Sequence, residues 1–425
     1  MRDLILFAII FGLLPLVLVR APVGVLLWNW IGFMNPHRLC WGPARHFEFA
    51  TVVGGLTLLS FVFSKDRRMI PITPVTLTLM AFILWMCITT YFALVPEDAV
   101  NQWEKVMKIQ LFIFIALSVM QDPKRIRQLV TVITLSIAYY GVKGGYFTLI
   151  SGGSFRVLGP AGSQIEDNNT LALALVMIVP LLIYHARTTE SKWLIRFYYL
   201  SAGLCGLSIL GSQSRGAFLA GSAMVLFLVL KSHHKFKAFF ALIIFVPLIL
   251  GFMPESWYQR MSTIETYEAD ASAMGRINAW HFAYNLAKDR PLMGGGFETF
   301  RPGLFERYAP DPEAYHDSHS IYFEALGEQG FMGLFLFLML LSVSWRLAQK
   351  LRRRISNLVE MKWAFELVSM VQVSLIGYVV GGAFLGVAYF DLVYSLIAIL
   401  VLVENYVKQT LGVQVQSGAL YAKPA

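Results

Sequence analysis

Apolar runs recur along the whole chain and are separated by short polar stretches. They fall at roughly 4–33, 47–63, 73–93, 106–120, 126–150, 170–185, 193–211, 216–230, 236–253, 328–345, 366–386 and 389–404. Several approach the ~20 residues that a helix needs to cross a bilayer core. The pattern predicts an all-α, polytopic membrane protein with about 12 spans. Pro15, Arg20 and Pro22 interrupt the first run. It reads as one broken helix or two half-spans, since such breaks are tolerated when protein surrounds them. The stretch at 254–327 is the one long hydrophilic segment, expected as a loop containing short helices. No internal repeat is evident, which disfavours a transporter built from paired halves.

Composition agrees with this reading. Of 425 residues, 57% are hydrophobic and 14% charged, against about 25% charged in soluble domains. The net charge of +9 would suit nucleic acid, but its distribution points elsewhere. Lys65, Arg67, Arg68, Lys124, Arg125, Arg127, Arg187, Lys192, Arg196, Lys231, Lys235 and Lys237 lie in alternate short loops, as do the six basic residues from Arg346 to Lys362. The opposite short loops hold only Arg38, Arg45, Lys105, Arg156 and Arg215. The basic side is therefore expected to be cytoplasmic, which places both termini there and the 254–327 loop outside. Nothing resembles a cleavable signal peptide, and the stretch after Lys408 is expected to be mobile. Cys40, Cys87 and Cys205 are dispersed and read as small core hydrophobes.

Four polar places on the outer side invite chemistry. The first is AYHDSHSIYFEALGEQGFMG at 314–333, where Ile321, Phe323, Leu326 and Phe331 predict a helix leading into the next span. His319 stands near its start, and a neutral imidazole is suited to accept a proton near pH 7. A solvated loop histidine is the plain alternative. His316 with His319 as half of a metal site is another, although no further ligand cluster follows.

The second place is Gly211-Ser-Gln213-Ser-Arg215-Gly216. The guanidinium fork of Arg215 suits phosphate oxygens, and snorkelling to lipid phosphate is the alternative. The third comprises Arg276 and Trp280, which share one helix face at i and i+4, with Gly294–Gly296 and Arg301. Such a glycine run permits close backbone approach to a ligand, or is a flexible turn. In the fourth, Asp167-Asn168-Asn169 reads as a helix cap, with Arg156 nearby as a candidate anion contact. His316, Ser320 and Gln213 are secondary candidates. There is no Walker A, Rossmann or HExxH motif. Glu268-Ala-Asp270 is the nearest acidic metal-binding pattern, so no metal and no cofactor is expected.

Together these segments resemble the O-antigen ligase and polymerase superfamily of bacterial inner-membrane glycan transferases. His319-Ser320-x9-Gly330-x2-Gly333 is similar to that family's His-[Asn/Ser/Gln]-x9-Gly-x2-Gly signature. Ser212–Gly216 is a second match, and Arg276 with Gly294–Gly296 a looser third. The resemblance covers about residues 165–405, while residues 1–42 resemble the leading domain of a branch labelled O-glycosylation ligase. It implies a GT-C-like glycosyltransferase. Residues 1–150 would form its N-terminal transmembrane region, 151–408 its ligase-like region including loop 254–327, and 409–425 a flexible cytoplasmic tail.

The donor implied is a glycan on undecaprenyl diphosphate, the acceptor lipid A–core oligosaccharide, and the site periplasmic. His319 would take the acceptor's proton. Arg215 and Arg276, with Arg156 and Arg301 as lesser members, would clamp the diphosphate without a metal, giving an inverting displacement. A protein O-glycosylating transferase or an O-antigen polymerase would share this chemistry. A transporter or flippase would instead carry ionisable groups at midplane, where Asp391 is the main exception to nearly charge-free spans. Membrane lipids are expected partners; nucleic acid is not.

Overall fold

Asp122 and Asp167 show how the sequence starts its helices. Asp122 Oδ1 accepts the N–H groups of Lys124 and Arg125, and Asp167 Oδ1 those of Asn169 and Thr170. Each carboxylate thereby satisfies donors that have no intrahelical partner. Thr73 and Thr76 form a reciprocal capping box ahead of Pro74, where a missing N–H costs nothing.

The computed structural model describes residues 1–231, 251–262 and 271–421, with positions 236, 240, 243 and 247 between them. Most of the expected span at 236–253, the Glu268-Ala-Asp270 pattern and the last four residues of the expected tail lie outside the described residues. Among those described there is no strand. The helices are α1 (Arg2–Val19), α2 (Ala21–Met34), α3 (Phe49–Phe63), α4 (Pro74–Tyr91), α5 (Pro96–Val119), α6 (Pro123–Ile150), α7 (Asn168–Thr188), α8 (Lys192–Gly211) and α9 (Arg215–Lys231). After them come α10 (Glu255–Ser262), α11 (Ala271–Asp289), α12 (Pro302–Tyr308), α13 (Ile321–Ile355), α14 (Lys362–Gly381) and α15 (Asp391–Tyr421).

Six helical segments among the described residues are long and apolar enough to cross a membrane: Arg2–Val19, Pro74–Tyr91, Asn168–Thr188, Lys192–Gly211, Ile321–Ile355 and Val359–Phe384. α2 and α3 are apolar but shorter. α5 carries Glu104, Lys105 and Lys108, and α6 carries a basic first turn and Lys143. The 12 expected runs thus include helices that length and composition alone do not single out.

α7 is apolar on every side and is the central helix, with 89% of its apolar window buried against α6, α8, α9 and α14. A helix hydrophobic all round belongs in such a place. α1, with 17% of its window buried, lies at the periphery. α6 and α8 cross closely at Gly145, where a Cβ would stand 2.0 Å from the Leu204 carbonyl oxygen. Small residues permit such backbone contact between helices.

The first apolar run folds as a hairpin of two helices. Arg20 is extended (φ −135°, ψ 95°), and Pro22 sits in the first turn of α2, where proline is tolerated. Arg2 Nη1 donates to Leu39 O, and Asp3 Oδ1 accepts the N–H groups of Gly42 and Ala44. Collinear helices would separate these ends by about 50 Å.

The hairpin also fixes where the termini lie. Arg38, beside the N-terminus, stands against Gly162 in the α6–α7 loop. At the other end of the body, Arg125 pairs with Asp66 at 2.7 Å and Arg187 with Glu366 at 3.1 Å. Asn405 in α15 donates to Gln121 at this same basic end. The N-terminus and the end of α15 therefore lie at opposite ends. This departs from the expected arrangement with both termini together, because the hairpin adds one traverse. α15 continues as helix through Tyr421, past the Lys408 boundary of the expected tail.

α13 is broken at Gly330, which has φ 68° and ψ −174°, a region that essentially only glycine enters. A Cβ there would stand 2.2 Å from Leu292 O. The break frees three carbonyls, and each finds a donor. Gly295 N–H reaches Gly327 O at 2.8 Å, Gly296 N–H reaches Glu328 O at 2.8 Å, and Trp85 Nε1 reaches Gln329 O at 3.0 Å. Phe331 N–H donates in turn to Pro291 O. The Gly294–Gly296 run, which read as a close approach to a ligand or as a flexible turn, instead makes backbone contact with α13. Gly330→Ala should destabilise the fold by at least ~1–3 kcal/mol from backbone strain alone, read as a lower melting temperature in detergent. An unchanged melt would contradict this role.

Candidate active site

The motif Ser212–Gly216 builds a tight turn into α9. Ser212 Oγ accepts from Ser214 N–H at 3.2 Å, and Ser214 Oγ accepts from Ala217 N–H at 3.2 Å. Ser214 is thus the N-cap of α9, and Arg215 is its first residue. Asn168 Nδ2 donates to Ser212 O at 2.8 Å, joining the start of α7 to this turn. Gln213 adopts φ 55° and donates to Gly153 O at 3.1 Å.

The segment before α13 is held by α11. Trp280 Nε1 donates to Ser318 O at 2.8 Å, and its ring stacks on Phe323 with centroids 5.0 Å apart. His316 packs over Gly275, where a Cβ would lie 2.7 Å from its ring. Ser318 N–H donates to Asp317 Oδ1 at 2.7 Å. His319 has φ 40°, and its ring centroid lies 4.9 Å from that of His316. Arg276 and Trp280 share the α11 face that meets this segment.

These elements enclose a cleft of about 700 Å³, lined by Arg156, Asn168, Asn169, Ser214, Arg215, Gly216, Arg276, His316, His319 and Phe384. Arg156 comes from the α6–α7 loop, Arg215 from the start of α9 and Arg276 from α11. Three guanidinium groups thus converge where α7 and α9 begin, and helix N-termini themselves favour anions. Burial pushes His319 below its usual 6.5, and the charge of Arg276 and the neighbouring His316 push the same way. Asp317 and Asp167 oppose the shift. The imidazole is therefore neutral at pH 7.

Four of the sequence candidates stay outside the cleft lining. Arg301 pairs with Asp98 at 3.0 Å and Glu298 at 3.4 Å. Two carboxylates already occupy its charge, which corrects its place among the diphosphate contacts. Gln213 is buried in the turn beneath Arg215, and Ser320 is the buried N-cap residue of α13. The glycine run docks on α13, as described above. Conversely, Asn168 and Asn169 line the cleft although they read as capping residues. Ser214 lay within the recognised turn without being singled out. Phe384 lies at the end of an apolar run, and nothing in the sequence marks it.

Residues 200–338 match the family model described as O-antigen ligase. Over that segment the chain is similar to the O-antigen ligase family. Residues 1–190 match a family of unknown function, DUF5935. No curated protein sequence matches the chain. The ligase match contains Arg215, Arg276, His316 and His319, while Arg156, Asn168 and Asn169 fall in the N-terminal match. The cleft is therefore built from both matched segments, with Phe384 beyond either. The O-antigen ligase match over 200–338 and the apolar helices together point to a bacterial membrane protein. They imply glycosyl transfer of the ligase or polymerase type with lipid-linked substrates.

A base whose pKa is depressed stays neutral until the pH falls below that value. Carbethoxylation of His319, followed by tandem mass spectrometry against pH, should therefore report a midpoint below 6.5. Asp317→Asn removes a charge that raises the pKa, so the midpoint should move lower still. A midpoint at or above 6.5, or an upward move in Asp317→Asn, would refute this electrostatic account.

Proposed function

We propose that this chain is an O-antigen ligase that transfers a glycan from undecaprenyl diphosphate to lipid A–core oligosaccharide, by an inverting and metal-independent displacement. The observation that carries the reading is the convergence of Arg156, Arg215 and Arg276 with His319 on one cleft. In this reading the body crosses the inner membrane about a dozen times in a GT-C-like arrangement. The basic end is cytoplasmic and the cleft is periplasmic. Residues 151–408 supply most of the catalytic region, and residues 1–150 flank it.

The reaction needs two things from the protein. A lipid diphosphate is already a competent leaving group, so its developing charge must be stabilised and the attacking hydroxyl must lose a proton. Arg215 and Arg276, supported by Arg156, hold the diphosphate through charge-assisted hydrogen bonds. The acceptor oxygen forms a bond to the anomeric carbon as the bond from that carbon to the diphosphate oxygen breaks. The hydroxyl proton passes to the neutral His319 ring, and the lipid diphosphate leaves with the bonding electron pair on its own oxygen, a charge that the arginines stabilise. A single displacement converts an α-linked donor into a β-linked product. A protein hydroxyl or a growing glycan would meet the same machinery, so the acceptor is decided by experiment.

The test is transfer in vitro from a lipid-diphosphate glycan, offering purified lipid A–core, a pilin-like protein and a second lipid-linked glycan as competing acceptors. Lipid A–core should be the preferred acceptor. Arg215→Ala or Arg276→Ala should slow transfer by roughly 10²-fold or more, and His319→Ala by roughly 10²–10⁴-fold, with melting temperatures unchanged. A fully active His319→Ala protein would sink the base assignment. Activity should survive EDTA; loss that Mg²⁺ or Mn²⁺ restores would overturn the arginine clamp.

A further inference from the structure

A second cleft of about 440 Å³ shares the 384–390 segment with the arginine-lined one. Phe384 lines the first cleft, while Gly386, Tyr389 and Phe390 line the second together with Gln102, Gln164 and Glu324. Gln102 comes from α5 and Gln164 from the α6–α7 loop that also carries Arg156. Glu324 Oε2 accepts the Ala388 N–H at 2.8 Å, which fixes the carboxylate against this segment. A Cβ on Gly386 would lie 3.4 Å from Ser318 Oγ, 3.5 Å from Asp317 Oδ2 and 3.6 Å from Glu324 Oε2. One residue's thickness of backbone therefore separates Glu324 from the turn that carries His319.

The two clefts differ in chemistry. The first gathers guanidinium groups; the described lining of the second holds no Lys or Arg. Two amides supply both donors and acceptors, the carboxylate accepts hydrogen bonds, and Tyr389 and Phe390 add aromatic surface. A carboxyl group and two amides can hydrogen-bond sugar hydroxyls but bring no positive charge for phosphate. This set fits an uncharged, polyhydroxylated ligand beside a phosphate site.

We propose that the second cleft binds the hydroxyl-bearing sugar at the end of the acceptor glycan. Glu324, Gln102 and Gln164 hydrogen-bond that sugar and turn its attacking hydroxyl toward His319. The inference rests on the glycosyl-transfer reading above and adds the acceptor's place to it. It also explains why the N-terminal region contributes a residue, Gln102, close to the reaction.

The experiment uses the full-length protein in nanodiscs, with donor and lipid A–core varied independently. In the Gln102→Ala, Gln164→Ala and Glu324→Gln variants the acceptor KM should rise about five- to tenfold, the scale of one or two lost hydrogen bonds. The donor KM should stay unchanged. Gln102 and Gln164 are at least partly exposed, so their removal leaves the fold intact if Glu324→Gln does not. An unchanged acceptor KM, or a change in donor KM alone, overturns the proposal.

A second arm needs no turnover. Core oligosaccharide freed from lipid A is titrated by native mass spectrometry into the wild type and the Gln102→Ala/Gln164→Ala protein. Weaker binding to the variant supports the proposal, and equal binding or none to either protein overturns it. Failure of the glycosyl-transfer reading shows separately, as absent wild-type transfer or as undiminished lipid-diphosphate binding in Arg215→Ala.

Discussion

A helix interrupted inside an apolar body must find partners for the backbone groups that the interruption frees. At Gly330 this requirement ties the long polar segment of the chain to the bundle. Three carbonyls of α13 take donors from Gly295, Gly296 and Trp85, so the loop after α11 is seated on α13 and on α4 together. Gln329 adds side-chain bonds to Thr89 and to the Tyr389 hydroxyl, which brings the 384–390 segment into the same joint. Because α11 is fixed in this way, Trp280 can hold Ser318 and Arg276 can reach the cleft. Binding chemistry at one end of the molecule thus depends on backbone satisfaction more than ten residues along the chain.

The cleft itself gathers positive charge from three separate parts of the chain. Three guanidinium groups line one partly enclosed space, and an anion placed there would interact favourably with all of them. In the proposed reaction that anion is the diphosphate, whose oxygens match the planar fork of arginine bidentately. Burial is what chiefly keeps His319 neutral, and the Arg276 charge acts in the same direction. Clamp and base meet at Arg276, which lines the cleft and adds to the effect of burial on the imidazole. Asp317 limits how far that depression goes, keeping the imidazole basic enough to compete for the hydroxyl proton.

Much of this was legible in the sequence, for reasons that differ residue by residue. Arg215 and His319 sit in local motifs, where a serine-capped turn and a helix start fix their position within a few residues. Arg276 could be paired with Trp280 by helical spacing alone. The Asp98 partner of Arg301 could not be read, because it lies some 200 residues away and only folding brings it near. The glycine run did not reveal its partner, because a close backbone approach looks the same in sequence whether the visitor is a ligand or another helix. The hairpin of α1 and α2 depends on Asp3 reaching Gly42 and Ala44, a contact no periodicity encodes. Hydropathy counts crossings; it does not say that two short helices turn back on each other.

The signature that links His319 to Gly330 and Gly333 combines two kinds of constraint. The histidine belongs to the cleft, whereas the glycines belong to the joint: Gly330 admits the backbone of Leu292, and Gly333 packs beside Gln329 and Trp85. Their fixed separation is the length of the helical piece between the cleft and the break. Along it, Glu324 faces the second cleft and Glu328 accepts the Glu298 N–H. An insertion of one residue would rotate this piece by about 100° and carry Glu324 away from the cleft even if Gly330 still made the break. Spacing within the signature is therefore a statement about which face of one short helix meets the site, and it joins the stability of the fold to the placement of its chemistry.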